Sequence, residues 1–74
     1  MNNSAPTMEH RRGQLKGGAR SAECNVTVNN RNGVLTLAIK DVNPRLPEGN
    51  YTLTVDGKPP TQWKRDRDGW TRLT

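Results

Sequence analysis

Residues 24–40, CNVTVNNRNGVLTLAIK, decide the fold. Cys24, Val26 and Val28 alternate with Asn25, Thr27 and Asn29; Leu35, Leu37 and Ile39 alternate with Thr36, Ala38 and Lys40. A period of two writes strands with one apolar face. Between them, Asn32-Gly33 suits a two-residue type I′ turn, in which both central residues need positive φ. Burial then selects the register. That turn opposes Val28 to Leu37 and Val26 to Ile39, so the apolar rows share a face, whereas a three-residue loop would oppose Val28 to Thr36 and split them.

Toward the C-terminus the pattern continues. Tyr51, Leu53 and Val55 alternate with Thr52, Thr54 and Asp56, and Trp63 and the segment from Trp70 to Leu73 predict a fourth and a fifth short strand. The connection DVNPRLPEGN, residues 41–50, holds Pro44 and Pro47, which cannot donate ladder hydrogen bonds, so the chain leaves the sheet there with Leu46 as a plug. Asp66-Arg67-Asp68-Gly69 reads as a three-residue hairpin with a bulge. In that register Asp66 faces Trp70, Trp63 faces Leu73, and Trp70 points away from the core alongside Arg72.

Residues 1–23 read differently. MNNSAPTMEHRRGQLKGGARSAE carries Gly13, Gly17 and Gly18, few apolar residues and no sustained period, which predicts a disordered basic tail. The expected architecture is all-β: a small antiparallel meander of four to five strands over residues 24–74, with that tail before it. The core is expected from Val26, Val28, Leu35, Leu37, Ile39, Tyr51, Leu53, Val55 and Trp63.

LPEGNYTLTVDG, residues 46–57, resembles the Pro-Gly-Tyr opening of strands in immunoglobulin-like bacterial modules. The likeness covers that strand alone, in a chain too short for a seven-stranded sandwich. Small size, a basic start and the lack of a catalytic set also resemble accessory proteins of phages and plasmids.

Composition narrows the function classes. With 74 residues, 30% hydrophobic, 4% aromatic and no Phe, the chain has little with which to pack a core, so a partner or a second copy is expected to complete it. Twelve Lys and Arg against seven Asp and Glu give a formal charge of +5, which suits anionic partners. One cysteine, Cys24, excludes an internal disulfide, and no run approaches the roughly 20 apolar residues of a membrane span. No N-terminal apolar segment reads as a signal peptide, and the chain is expected to be soluble and cytoplasmic.

Catalysis finds no support. Cys24 and His10, the sole histidine, are separated by three glycines, and together they cannot furnish a closed zinc site. Tyr51, Arg65 and Arg72 are the only set a histidine-free nuclease could draw on, and Tyr51 belongs to the apolar row. Asp66–Gly69 lacks the ligand spacing of a calcium loop. Neither enzyme activity nor a cofactor or metal is expected.

Binding is the remaining class. The apolar rows need a cover that no helix supplies, which points to dimerisation, or to a protein partner docked by edge-strand addition. Trp70 with Arg72, Lys64, Arg65 and Arg67 forms the expected partner-binding set. The alternative is nucleic acid, held by Arg11, Arg12, Lys16, Arg20, Lys64, Arg65 and Arg72.

Overall fold

The computed structural model describes residues 7–74. It is all-β: β1 (Thr7–Gly17), β2 (Arg20–Arg31), β3 (Val34–Asn43), β4 (Gly49–Val55), β5 (Thr61–Asp66) and β6 (Gly69–Arg72). They form one antiparallel sheet in the order β3-β2-β1-β4-β5-β6. Two three-stranded meanders, β1-β2-β3 and β4-β5-β6, are thus joined side by side through β1 and β4. The fold class is as expected, with six strands rather than four or five.

The Asn32-Gly33 hairpin follows its expected register. Val28 pairs with Leu37 and Val26 with Ile39. Asn32 and Gly33 have φ of 53° and 80°, both in the left-handed region a type I′ turn needs.

The expected tail is corrected. Its residues 1–6 lie outside the described residues, but from Thr7 onward it is strand. β1 pairs along its whole length with β2 and, from Gly13 to Lys16, with β4, so it is an interior strand. The domain therefore begins well before Cys24. Leu15 is fully buried at the centre of the core, and Ala22 is buried beside it. The glycines read as marks of disorder have a strand meaning instead. Gly13 and Gly17 sit on the apolar face, where a Cβ on Gly13 would come within 2.8 Å of Val26 Cγ2 and 3.0 Å of Leu53 Cδ1. Neighbouring side chains close over that bare backbone, as strand glycines permit. Gly18, with φ of 61°, opens the two-residue turn between Gly17 and Arg20.

Among the described residues no second layer covers the apolar face, and the sheet curls so that Ile39 and Val42 of β3 line one cavity with Arg65 of β5 and Trp70 of β6. The buried apolar set is Leu15, Ala22, Cys24, Val26, Val28, Leu46, Tyr51, Leu53, Val55 and Trp63. Leu46, from the connection between β3 and β4, is buried as the expected plug, and Tyr51 Oη donates to the Pro47 carbonyl at 2.8 Å, pinning that connection. Three expected core residues are corrected. Leu35 is exposed, and Leu37 and Ile39 are half-buried. They lie on β3, an edge strand with a neighbour on one side only.

The second hairpin is also corrected. Asp66 pairs with Gly69, Arg65 with Trp70 and Trp63 with Arg72, so the loop is two residues, not three. Asp66 Oδ1 accepts from the backbone N–H of Asp68 at 2.8 Å and of Gly69 at 3.1 Å. This side-chain closure replaces the bulge and shifts the register by one. Since opposed residues share a face, Trp70 and Arg72 join Trp63 on the core side. Trp70 is half-buried there, its ring edge-on to Tyr51 at 5.6 Å between centroids.

Candidate functional site

The residues expected to form one partner-binding set do not share one surface. Lys64 is on the outer face and exposed, and Arg67 is at the tip of the β5–β6 turn. Arg65 and Trp70 pack together on the inner face, the guanidinium carbon 5.7 Å from the indole centroid. Arg72, also inward, is held back by its Nε donating to the Thr74 carbonyl at 2.7 Å.

The cations assigned to the tail disperse as well. Arg11 lies on the inner face near Glu9, at 3.3 Å, and donates to the Asp56 carbonyl. Arg12 is on the outer face, paired with Glu23 at 3.0 Å. Lys16 and Arg20 are exposed near the β1–β2 turn. Strand alternation sends Arg11 to the face opposite Arg12, while Arg12 and Lys16 share the outer one.

The structure instead assembles a cleft that sequence reasoning missed. Where β3 approaches β5 and β6 across Leu46, a cavity of about 240 Å³ is lined by Ile39, Val42, Leu46 and Trp70, together with Lys40, Asp41, Arg45 and Arg65. Among the described residues, Lys40, Arg45 and Arg65 make no ion pair. Asp41, the one acid of the lining, accepts a hydrogen bond from Asn25 Nδ2 at 3.0 Å. The lining is thus net positive, with the Trp70 indole and three aliphatic side chains among it. Pro44 and Pro47 flanking Arg45 and Leu46 mark the departure from the sheet, but nothing in them shows where the loop lands.

Cys24 and His10 end on opposite sides. Cys24 is buried in the core, while His10 is exposed on the outer face. Burial pushes the Cys24 thiol above its ordinary value of 9.0, with Arg12 pulling weakly the other way. Burial of this kind favours the thiol over the reactive thiolate.

The second feature is the edge of β3. The other edge, β6, is four residues long, and Leu73 N–H already donates to the Gln62 carbonyl at 2.7 Å beyond it. β3 is ten residues long, and Val34–Ile39 contains no charge, proline or glycine. Val34 and Leu35 are 62% and 38% exposed. Edge strands are ordinarily blunted by charges, bulges or proline. Here the blunting starts only at Lys40 and Asp41, where the pairing with β2 shifts register between Glu23 and Asn25 and Asp41 takes φ of 55°.

The hydrogen-bonding phase of that edge can be derived. Arg31 and Val34 flank the two-residue turn and exchange the closing pair of bonds. Along the ladder, Val34, Thr36 and Ala38 therefore bond to β2. Leu35, Leu37 and Ile39 turn their N–H and C=O outward, and their side chains lie on the apolar face.

No protein-family model matches the chain, and neither a curated protein nor a solved structure matches it. Among the described residues no helix is long and apolar enough to cross a membrane.

Proposed function

We propose that the protein is a non-catalytic binding module that makes protein-protein contacts by accepting a strand, from another protein or from a second copy of itself, along the free edge of β3, in the manner of a small regulator or inhibitor. The observation that carries this reading is the uncharged run Val34–Ile39 on an edge strand, with three successive outward pairs of backbone donors and acceptors at Leu35, Leu37 and Ile39. Each cross-strand hydrogen bond contributes about 0.5–1.5 kcal/mol net, and the apolar side chains add burial. Trp70 contributes less than a fully exposed anchor would, because it already packs on Tyr51 and under Arg65.

The test uses Leu35→Pro, which removes an outward N–H and spares every bond to β2. Immobilised wild type and variant are exposed to extract of the cells that express the protein, and retained proteins are quantified. A partner held by the wild type and depleted at least about tenfold, roughly 1.4 kcal/mol, by the variant supports the reading. Equal retention by a folded Leu35→Pro protein refutes it.

A second reading is favoured by the cleft. Lys40, Arg45 and Arg65, which make no ion pair among the described residues, suit the phosphates of a single-stranded nucleic acid, with a base beside the Trp70 ring.

A further inference from the structure

Resting on the reading of β3 as a pairing edge, we infer that the strand it accepts is β3 of a second copy of this chain, added antiparallel about a two-fold axis through Leu37. The extended run that can pair is bounded at both ends by left-handed residues, Gly33 at φ 80° and Asp41 at φ 55°. Leu37 is the midpoint of the run 34–40 between them. A two-fold axis there pairs Leu37 with Leu37 of the second copy and Leu35 with Ile39 of the second copy.

These are the residues whose backbone groups face outward, so the symmetric ladder closes with about six interchain hydrogen bonds. Moving the axis to Thr36 would bring Gly33 opposite Ile39 and draw the hairpin turn into the ladder. Moving it to Ala38 would set Leu35 against Asp41 at the bulge. Only the Leu37 axis uses the whole extended run and nothing beyond it.

Charge agrees with this choice. Lys40 and Asp41 are the only charged residues of β3. In the symmetric antiparallel register, Lys40 stands opposite Val34 and Asp41 opposite Gly33 of the second copy. A parallel, in-register addition would oppose Lys40 to Lys40 and Asp41 to Asp41. Like charges directly opposed destabilise a strand pair. The side chains agree too: Leu35, Leu37 and Ile39 of both copies fall on the same face, so the exposed Leu35 and the half-buried Leu37 and Ile39 gain apolar cross-strand neighbours.

Sedimentation velocity of the full chain, from about 5 µM to about 500 µM, is expected to show monomer passing to dimer, and Leu35→Lys is expected to stay monomeric with an unchanged far-UV spectrum. The register is read by cysteine pairing in a Cys24→Ala background under oxidised glutathione, which accepts the two electrons released as two thiols join. Leu37→Cys should link the two copies, because residues on the axis have Cα atoms about 5.5 Å apart. Thr36→Cys and Ala38→Cys should not, because each is offset from its own copy by more than about 7 Å. Linkage at Thr36 or Ala38 in preference to Leu37 overturns the inference.

A chain that stays monomeric throughout also overturns it. Hydrogen exchange then separates the two levels. Fast exchange at the Leu35, Leu37 and Ile39 amides of that monomer leaves the edge open to another protein, whereas slow exchange removes the free edge and the proposed function with it.

Discussion

Gly17 of β1 lies against the ring of Tyr51 on β4: a Cβ built on Gly17 would come within 2.5 Å of Tyr51 Cδ2 and 2.6 Å of the Asn50 carbonyl oxygen. The aromatic ring covers bare backbone, and its hydroxyl reaches past to the Pro47 carbonyl. This contact ties the two meanders together where β1 meets β4. It also positions Tyr51 as the surface on which Trp70 packs.

Gly17→Ala is therefore expected to destabilise the fold by about 2–3 kcal/mol, at the upper end of overpacking costs, since one of the clashing groups is backbone. Gly13→Ala meets only side-chain atoms that can give way, and should cost less, about 1–2 kcal/mol. Urea unfolding followed by tryptophan fluorescence measures both. Equal stability of Gly17→Ala and wild type would mean that β1 and β4 are not in this register.

Leu46 lines the cavity shared by β3 and the β5–β6 hairpin and is 5% exposed. Leu46→Ala should cost about 2–4 kcal/mol, the range for deleting a buried leucine, and should enlarge the cleft beside Trp70. The same substitution at Leu73, which is 51% exposed, should stay within about 0.5 kcal/mol. Paired denaturation midpoints decide whether Leu46 is a plug or a loop residue.

Legibility in the sequence divided along physical lines. The Asn32-Gly33 hairpin was readable because turn chemistry and apolar alternation select the same register. The β5–β6 hairpin was misread because Asp66 caps its own turn with a carboxylate, a local bond that no periodicity records. That one-residue difference moved Trp70 across the sheet. β1 was missed for a different reason. Its apolar face consists of Gly13, Leu15 and Gly17 flanked by Glu9 and Arg11, so the alternation contains one apolar side chain. Its neighbours on β2 and β4 supply the side chains that fill the space above the glycines. The cleft was illegible because Arg45 and Arg65 line one cavity from distant parts of the chain, a tertiary fact with no counterpart in spacing.

Asp66 offers a direct check on the corrected hairpin. Asp66→Ala removes the acceptor for the Asp68 and Gly69 amides and should lower stability by about 1 kcal/mol. Asp66→Asn retains an acceptor oxygen and should recover most of the loss. If alanine and asparagine cost the same, the turn does not depend on that side chain.

Cys24 makes stability fall at alkaline pH. Its thiol is held above 9.0 in the fold by burial, so between the unfolded and folded values the native state keeps a proton that the unfolded chain releases. The contribution is fully present below the unfolded value and is lost as pH rises through the folded one. Denaturation midpoints should drop above about pH 9 in the wild type and drop less steeply in Cys24→Ala. Alkylation by iodoacetamide at pH 8 should likewise be slow until denaturant is added.

The cleft distinguishes the two binding readings through salt. If single-stranded nucleic acid sits there, its phosphates displace counterions at Lys40, Arg45 and Arg65, and affinity falls as salt rises. Arg45→Ala and Arg65→Ala should each then reduce the slope of log affinity against log salt by about one, while Arg67→Ala, at the turn tip, should leave it unchanged. Fluorescence anisotropy of a labelled oligonucleotide reads the slope, and quenching of Trp70 reports whether a base reaches its ring. A slope that Arg67→Ala changes as much as Arg45→Ala would make the binding a property of net charge. Absence of binding at low salt would overturn the nucleic-acid reading of the cleft.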